Sequence, residues 1–114
     1  AAGIEVLNYA GWGLTAEDLK VLSEDFLPLC HRLRVLNLKG NPIGDQGIGA
    51  LAGVLPLCDN LRQLVLGGNE INDEGILSLA CALDKCKGLQ AIEIRNTSAS
   101  PGAIKQLTYV WAGC

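Results

Sequence analysis

The chain has 114 residues, 49% of them apolar, which is enough for one domain with a real core and excludes a disordered segment. A net charge of −3, few aromatics and no basic run of sequence argue against nucleic-acid binding, and no apolar stretch approaches the roughly 18 residues needed to cross a bilayer. Five cysteines, an odd number with no signal peptide before them, point to reduced thiols in an intracellular setting, either cytoplasmic or an organelle entered with loss of a transit peptide. With no methionine and an opening of Ala1-Ala2-Gly3, the native start is expected to have been removed.

In chain order, apolar residues first fall at Ile4, Leu7 and Tyr9, and Thr15 then precedes a stripe of Leu19 and Leu22. The same succession returns three times. Leu33, Leu36 and Leu38 lead to Gly44 and to Ile48, Leu51 and Leu55. Leu61, Leu64 and Leu66 lead to Asn72 and to Ile76, Leu79 and Leu83. Leu89, Ile92 and Ile94 lead to Ser100 and to Ile104, Leu107 and Trp111. The units start at Ile4, Leu33, Leu61 and Leu89, spaced by 29, 28 and 28 residues, so the chain is an internal repeat.

Each alternating segment predicts a short strand with one buried face, and each i, i+3, i+7 stripe a helix with one buried face. Thr15, Gly44, Asn72 and Ser100 are residue types favoured at helix N-caps. Ala16, Asp45, Asp73 and Pro101 follow them; aspartate suits the positive end of the helix dipole and proline the first helical residue. The first unit is one residue longer. Because the LPLC segments at 27–30 and 55–58 align without gaps after it, the extra residue lies between Ser23 and Phe26.

Several patterns invite a chemical reading. GNEINDEG, 68–75, places Glu70, Asn72 and Glu74 on alternate positions before Gly75, as a calcium loop begins, but the position that should hold a bidentate glutamate is Cys81. Its counterpart GNPIGDQG, 40–47, lacks the three ligands, so the segment reads as a strand-to-helix junction in which Ile71 packs inward, Asn72 caps the helix, and Asp73 and Glu74 meet its positive end. Cys30, Cys58, Cys86 and Cys114 recur every 28 residues; a linear ladder spreads thiolates along an axis rather than converging four on a metal, so these are small packing residues. Cys81 is read the same way, and His31 as a surface loop residue. Asn96-Thr97-Ser98 is a formal glycosylation sequon, expected to be unused. No hydrolase, kinase or phosphate-loop pattern is present, so no catalytic, cofactor or metal site is assigned, and the chain is expected not to be an enzyme.

LRVLNLKGN (33–41) and LRQLVLGGN (61–69) match the pattern LxxLxLxxN, and the chain resembles leucine-rich-repeat proteins. Its 28-residue units, each with a full helix, are similar to the ribonuclease-inhibitor-like subfamily. The resemblance implies an α/β fold, a right-handed solenoid forming a short horseshoe arc, with parallel strands on the concave side and helices on the convex side. It implies one domain over 1–114, with repeats of about 4–32, 33–60, 61–88 and 89–114. Asn41 and Asn69 match the repeat's asparagine, which in the family bonds the backbone of the adjacent turn; Trp12 and Thr97 stand in its place in the outer units.

The family typically binds proteins, so the function implied is a non-catalytic interaction or scaffold module within a larger protein or assembly. The candidate binding residues are the outward strand positions Asn8, Val35, Asn37, Lys39, Gln63, Val65, Glu93 and Arg95, with Trp12 at the edge. Arg34 and Arg62 share one column at the margin, opposite an acidic first helix. Alternatives are a regulator of a small GTPase, from likeness to the Ran GTPase-activating protein, or an accessory subunit of a large organellar complex. Four strands present on the order of 250 Å² of concave surface, against roughly 800 Å² per partner in a stable interface. The open ends near Ile4 and Ile94 are therefore expected to be covered by a partner subunit, a second copy or further repeats.

Overall fold

A computed structural model describes residues 3–95 and 97–112, with all their side chains except those of residues 106 and 108–112. Four short strands, β1 (Val6–Asn8), β2 (Val35–Asn37), β3 (Gln63–Val65) and β4 (Ala91–Glu93), alternate with helices α1 (Ala16–Val21), α2 (Gly44–Val54), α3 (Asp73–Leu83) and α4 (Pro101–Ala112). The strands form one parallel sheet in the order β1-β2-β3-β4. Leu7, Leu36, Leu64 and Ile92 pair as one row across it, so the register is the repeat spacing itself. Strands lie about 4.8 Å apart whereas packed helices need about 8–10 Å. That mismatch puts the sheet on the inside of the curve.

The inward strand residues behave as the alternation predicts in the two middle units: Leu33, Leu36, Leu38, Leu61, Leu64 and Leu66 are all buried. The helix stripes Ile48, Leu51, Leu55 and Ile76, Leu79, Leu83 close the core from the other side. The outer units are only partly covered, with Ile4, Tyr9, Leu14 and Leu22 at one end and Ile92, Ile94 and Ile104 at the other. A unit in the middle has a neighbour on each side to bury it; an outer one has a single neighbour. Trp111, Asn96 and Cys114 carry readings that lie outside the described side chains and residues.

The extra residue of the first unit is absorbed where the alignment places it, as a π-helical turn at Leu22–Phe26. Such a turn accommodates one added residue without ending a helix. A 3-10 turn, Leu27–Leu29, then matches Leu55–Leu57 in the second unit.

The helix starts are partly as read and partly corrected. Thr15 caps α1 in a reciprocal box: its hydroxyl accepts from Asp18 N–H at 3.3 Å, and the Asp18 carboxylate accepts from Thr15 N–H at 3.0 Å. Ser100 Oγ likewise accepts from Ala103 N–H at 3.2 Å. Gly44, by contrast, is the first residue of α2 and not its N-cap, which is Ile43. Its φ of +69° needs glycine, and its N–H is donated across to the Asn69 carbonyl at 3.0 Å.

Asn72 occupies the N-cap of α3, but its side chain makes no capping bond. The cap comes from the preceding unit: Asp45 Oδ1 accepts from the N–H groups of Asn72 (2.8 Å) and Gly75 (3.1 Å). Asp73 repeats the device one step on, accepting from Ser100 N–H at 2.6 Å and Ser100 O–H at 2.8 Å. Each aspartate thus serves the next helix as well as its own dipole. Gly75 must be glycine here, because a Cβ would stand 2.5 Å from the Asp45 carboxylate.

Candidate functional site

The outward strand residues lie in three columns across the sheet. Asn8, Lys39, Gln63 and Arg95 are exposed, and Val35, Asn37, Val65 and Glu93 are half-buried. Three of these side chains are already engaged with their own backbone. Asn8 Oδ1 accepts from Ala10 N–H (3.1 Å), Asn37 Oδ1 from Lys39 N–H (3.0 Å) and Glu93 Oε1 from Arg95 N–H (2.6 Å). Each stabilises the turn that leaves its strand, a structural duty the sequence reading did not assign. Lys39, Gln63 and Arg95 present the long polar side chains of this face.

Trp12 sits at the C-terminal rim of β1 and is 66% exposed. Its ring meets Tyr9 edge-on, with centroids 4.8 Å apart and planes at 78°, a geometry that suits the aromatic quadrupole. The indole thus has Tyr9 as a ring neighbour while most of it faces solvent.

Behind this rim the ladder asparagines are buried. Asn41 Oδ1 accepts from Leu14 N–H at 2.9 Å, and its amide nitrogen donates to the carbonyls of Tyr9 (3.0 Å) and Leu38 (2.7 Å). Asn69 Oδ1 in turn accepts from Asn41 N–H at 3.0 Å. These two residues fix the turns from which the concave face and Trp12 project.

The described cysteines are thiols. Cys30, Cys58 and Cys86 each direct Sγ to the carbonyl four residues earlier, of Phe26, Val54 and Ala82. Burial, then the neighbouring Cys86 and Cys30 sulfurs and Asp59, push the Cys58 thiol up to about 11. A group that resists ionisation is a poor nucleophile and a poor metal ligand, which suits a packing role. Cys81 departs from its reading as a packing residue. It is exposed on α3, because Ile76, Leu79, Ala80 and Leu83 take the buried face. Iodoacetamide at pH 8 is expected to modify Cys81 first and Cys58 at least about tenfold more slowly, as tryptic mass mapping over time will read. Equal rates would contradict this assignment.

A second feature lies at the opposite rim, where the helices return to the strands. The carbonyls of Glu5, Arg34 and Arg62 each accept two N–H groups from the next rung. This repeated pairing stacks their side chains in one column. With Arg32 and Asn60 they line a cleft of about 360 Å³. Arg34 pairs with Glu5 at 3.2 Å in an exposed ion pair. Arg62 donates to the carbonyls of Asp59 (3.1 Å) and Leu61 (3.3 Å) and covers Gly88, where any side chain would collide with its guanidinium. Asn60 donates to the His31 carbonyl at 2.6 Å. His31 itself is exposed in this loop. The sequence hinted at this cleft only through the Arg34/Arg62 column; Arg32 and Asn60 reach it from separate loops.

The parallel sheet, the stacked helices and the asparagine ladder define an α/β leucine-rich-repeat solenoid. Residues 29–52 and 57–80 each match the family model described as leucine-rich repeat. Among solved structures the chain is similar to one titled leiomodin-1 actin-binding site 2. The TM-score is 0.78 at 17% identity, over 97% of this chain and 80% of that one. No curated protein sequence gives a significant match. Among the described residues, no helix is long and apolar enough to cross a membrane.

Proposed function

We propose that this chain is a non-catalytic protein-interaction module whose partner contacts the concave face and the Trp12 rim together. The observation that carries the reading is the exposed indole of Trp12, edge-on to Tyr9. A tryptophan has only two side-chain torsions to order on binding and is enriched at interface hot spots. The concave residues Asn8, Val35, Asn37, Lys39, Gln63, Val65, Glu93 and Arg95 supply a mixed polar surround. Adding the Trp12 rim enlarges the small strand face without by itself reaching the roughly 800 Å² of a stable interface.

The 28-residue units with full helices favour the ribonuclease-inhibitor-like kind, organised as one domain with repeats near 4–32, 33–60, 61–88 and 89–114. The half-covered outer units favour an assembly in which an end is shielded by a partner or by further chain. The comparisons lend no support to a GTPase regulator or an organellar accessory subunit. Actin is the first partner to test, since the similar solved structure is titled an actin-binding site; the likeness there is one of fold.

Binding of labelled chain to purified actin, or to a partner isolated by crosslinking, measures the proposal directly. Trp12→Ala is expected to weaken it by about 2 kcal/mol, roughly thirtyfold, while His31→Ala on the far rim leaves it unchanged. An unchanged affinity for Trp12→Ala would sink this reading.

A further inference from the structure

The cleft at the rim opposite Trp12 has no part in the interaction just described. Three arginines, Arg32, Arg34 and Arg62, line it, and Glu5 is the one acidic residue among the lining. Glu5 is committed to Arg34, and the hydrogen bonds of Arg62 run to backbone carbonyls, which neutralise no charge. Among the described residues neither Arg32 nor Arg62 has an ion pair, in a chain whose net charge is −3.

We propose that this cleft binds an acidic peptide segment, with two or more Asp or Glu side chains close together in sequence. Guanidinium groups are planar forks that match carboxylates with paired hydrogen bonds. Arg34 and Arg62 lie on adjacent rungs about 4.8 Å apart, near enough for neighbouring carboxylates of one chain to reach both, Arg34 sharing its contact with Glu5. The cleft of about 360 Å³ has room for more than one small anion. Arg62 is held in place by its two carbonyl contacts and by the space over Gly88, so the site is partly preorganised.

Nucleic acid fits less well. None of the described residues lining the cleft is aromatic, so none offers a base a ring on which to stack, and Tyr9 and Trp12 lie at the other end of the strands. An overall acidic protein with three arginines at one spot also offers too short a track for a phosphate backbone.

The test is fluorescence anisotropy of the whole chain with a labelled decapeptide of alternating glutamate and glycine. Its glutamine counterpart, inorganic phosphate as competitor and a single-stranded oligonucleotide form the other arms. The glutamate peptide is expected to bind with an affinity that falls as salt rises, and the glutamine peptide at least tenfold more weakly. Arg32→Glu is expected to weaken the glutamate peptide at least tenfold while the thermal melt stays in place, because Arg32 is exposed and unpaired among the described residues. Arg62→Gln weakens it too, with its melt recorded because this arginine also packs over Gly88. Glu5→Gln works in the opposite sense, releasing Arg34 and tightening binding severalfold.

Equal binding of the two peptides, less than a twofold effect of Arg32→Glu, or oligonucleotide binding as tight as peptide would overturn the proposal. So would phosphate displacing the peptide at equimolar concentration. Trp12→Ala is expected to leave this binding untouched, so failure here and failure at the concave face are told apart.

Discussion

Asn41→Ala is expected to lower the unfolding free energy by about 3 kcal/mol, since truncation strands several buried polar groups at once. Asn41 is 1% exposed and ties three stretches of chain together. Its loss leaves the Leu14 N–H and the carbonyls of Tyr9 and Leu38 without the partners they have now. Asn41→Asp keeps the acceptor but loses both donors and buries a charge, so it should be no better tolerated. Asn37→Ala is the control, because Asn37 satisfies only the Lys39 N–H at a half-buried site where water can substitute. Urea unfolding of the three variants is the measurement, and an Asn41→Ala midpoint as high as that of Asn37→Ala would refute the assignment.

Asp45→Ala should cost about 2 kcal/mol, in the upper range for losing a helix cap, because two backbone N–H groups of the following unit lose a charged acceptor. Asp45→Asn retains an oxygen and should cost less. Asp73 adds a dependence on acid. Its carboxyl is held below its ordinary value of 3.8, first by the Ser100 N–H and then by the Ser100 hydroxyl. A lowered folded-state pKa contributes stability that is fully present above the unfolded value and disappears as pH falls through the folded one. Melting followed from pH 6 to pH 2 should therefore show a decline below about pH 4 that is shallower in Asp73→Asn. Identical profiles for the two proteins would contradict it.

Much of this was written in the sequence, and the residues show why. Spacings of 29, 28 and 28 fix the sheet register, because parallel rungs of a solenoid pair at the repeat length. The Thr15 box could be read from four consecutive residues. The Asp45 and Asp73 caps could not, since each reaches 27 residues ahead and leaves no local pattern. Asn72 looks like a capping residue by type, yet the N–H it would serve is already taken by Asp45. Cys81 was misjudged although periodicity contained the answer: at about 100° per residue it stands well off the Ile76–Leu79–Leu83 stripe. The rim cleft was half visible as a column of arginines. Its other walls come from loops whose closeness only the stacked units create.

The π-helical turn at Leu22–Phe26 bears on how such a molecule can change over time. One added residue disappears into the outer layer, and the next strand still meets β1 in step, Val6 opposite Val35. A residue added within a strand would instead turn its inward side chains outward. Length variation is therefore silent on the helical side and disruptive on the sheet side. A lineage of such chains could lengthen and shorten its outer layer freely while the surface offered to a partner kept its phase.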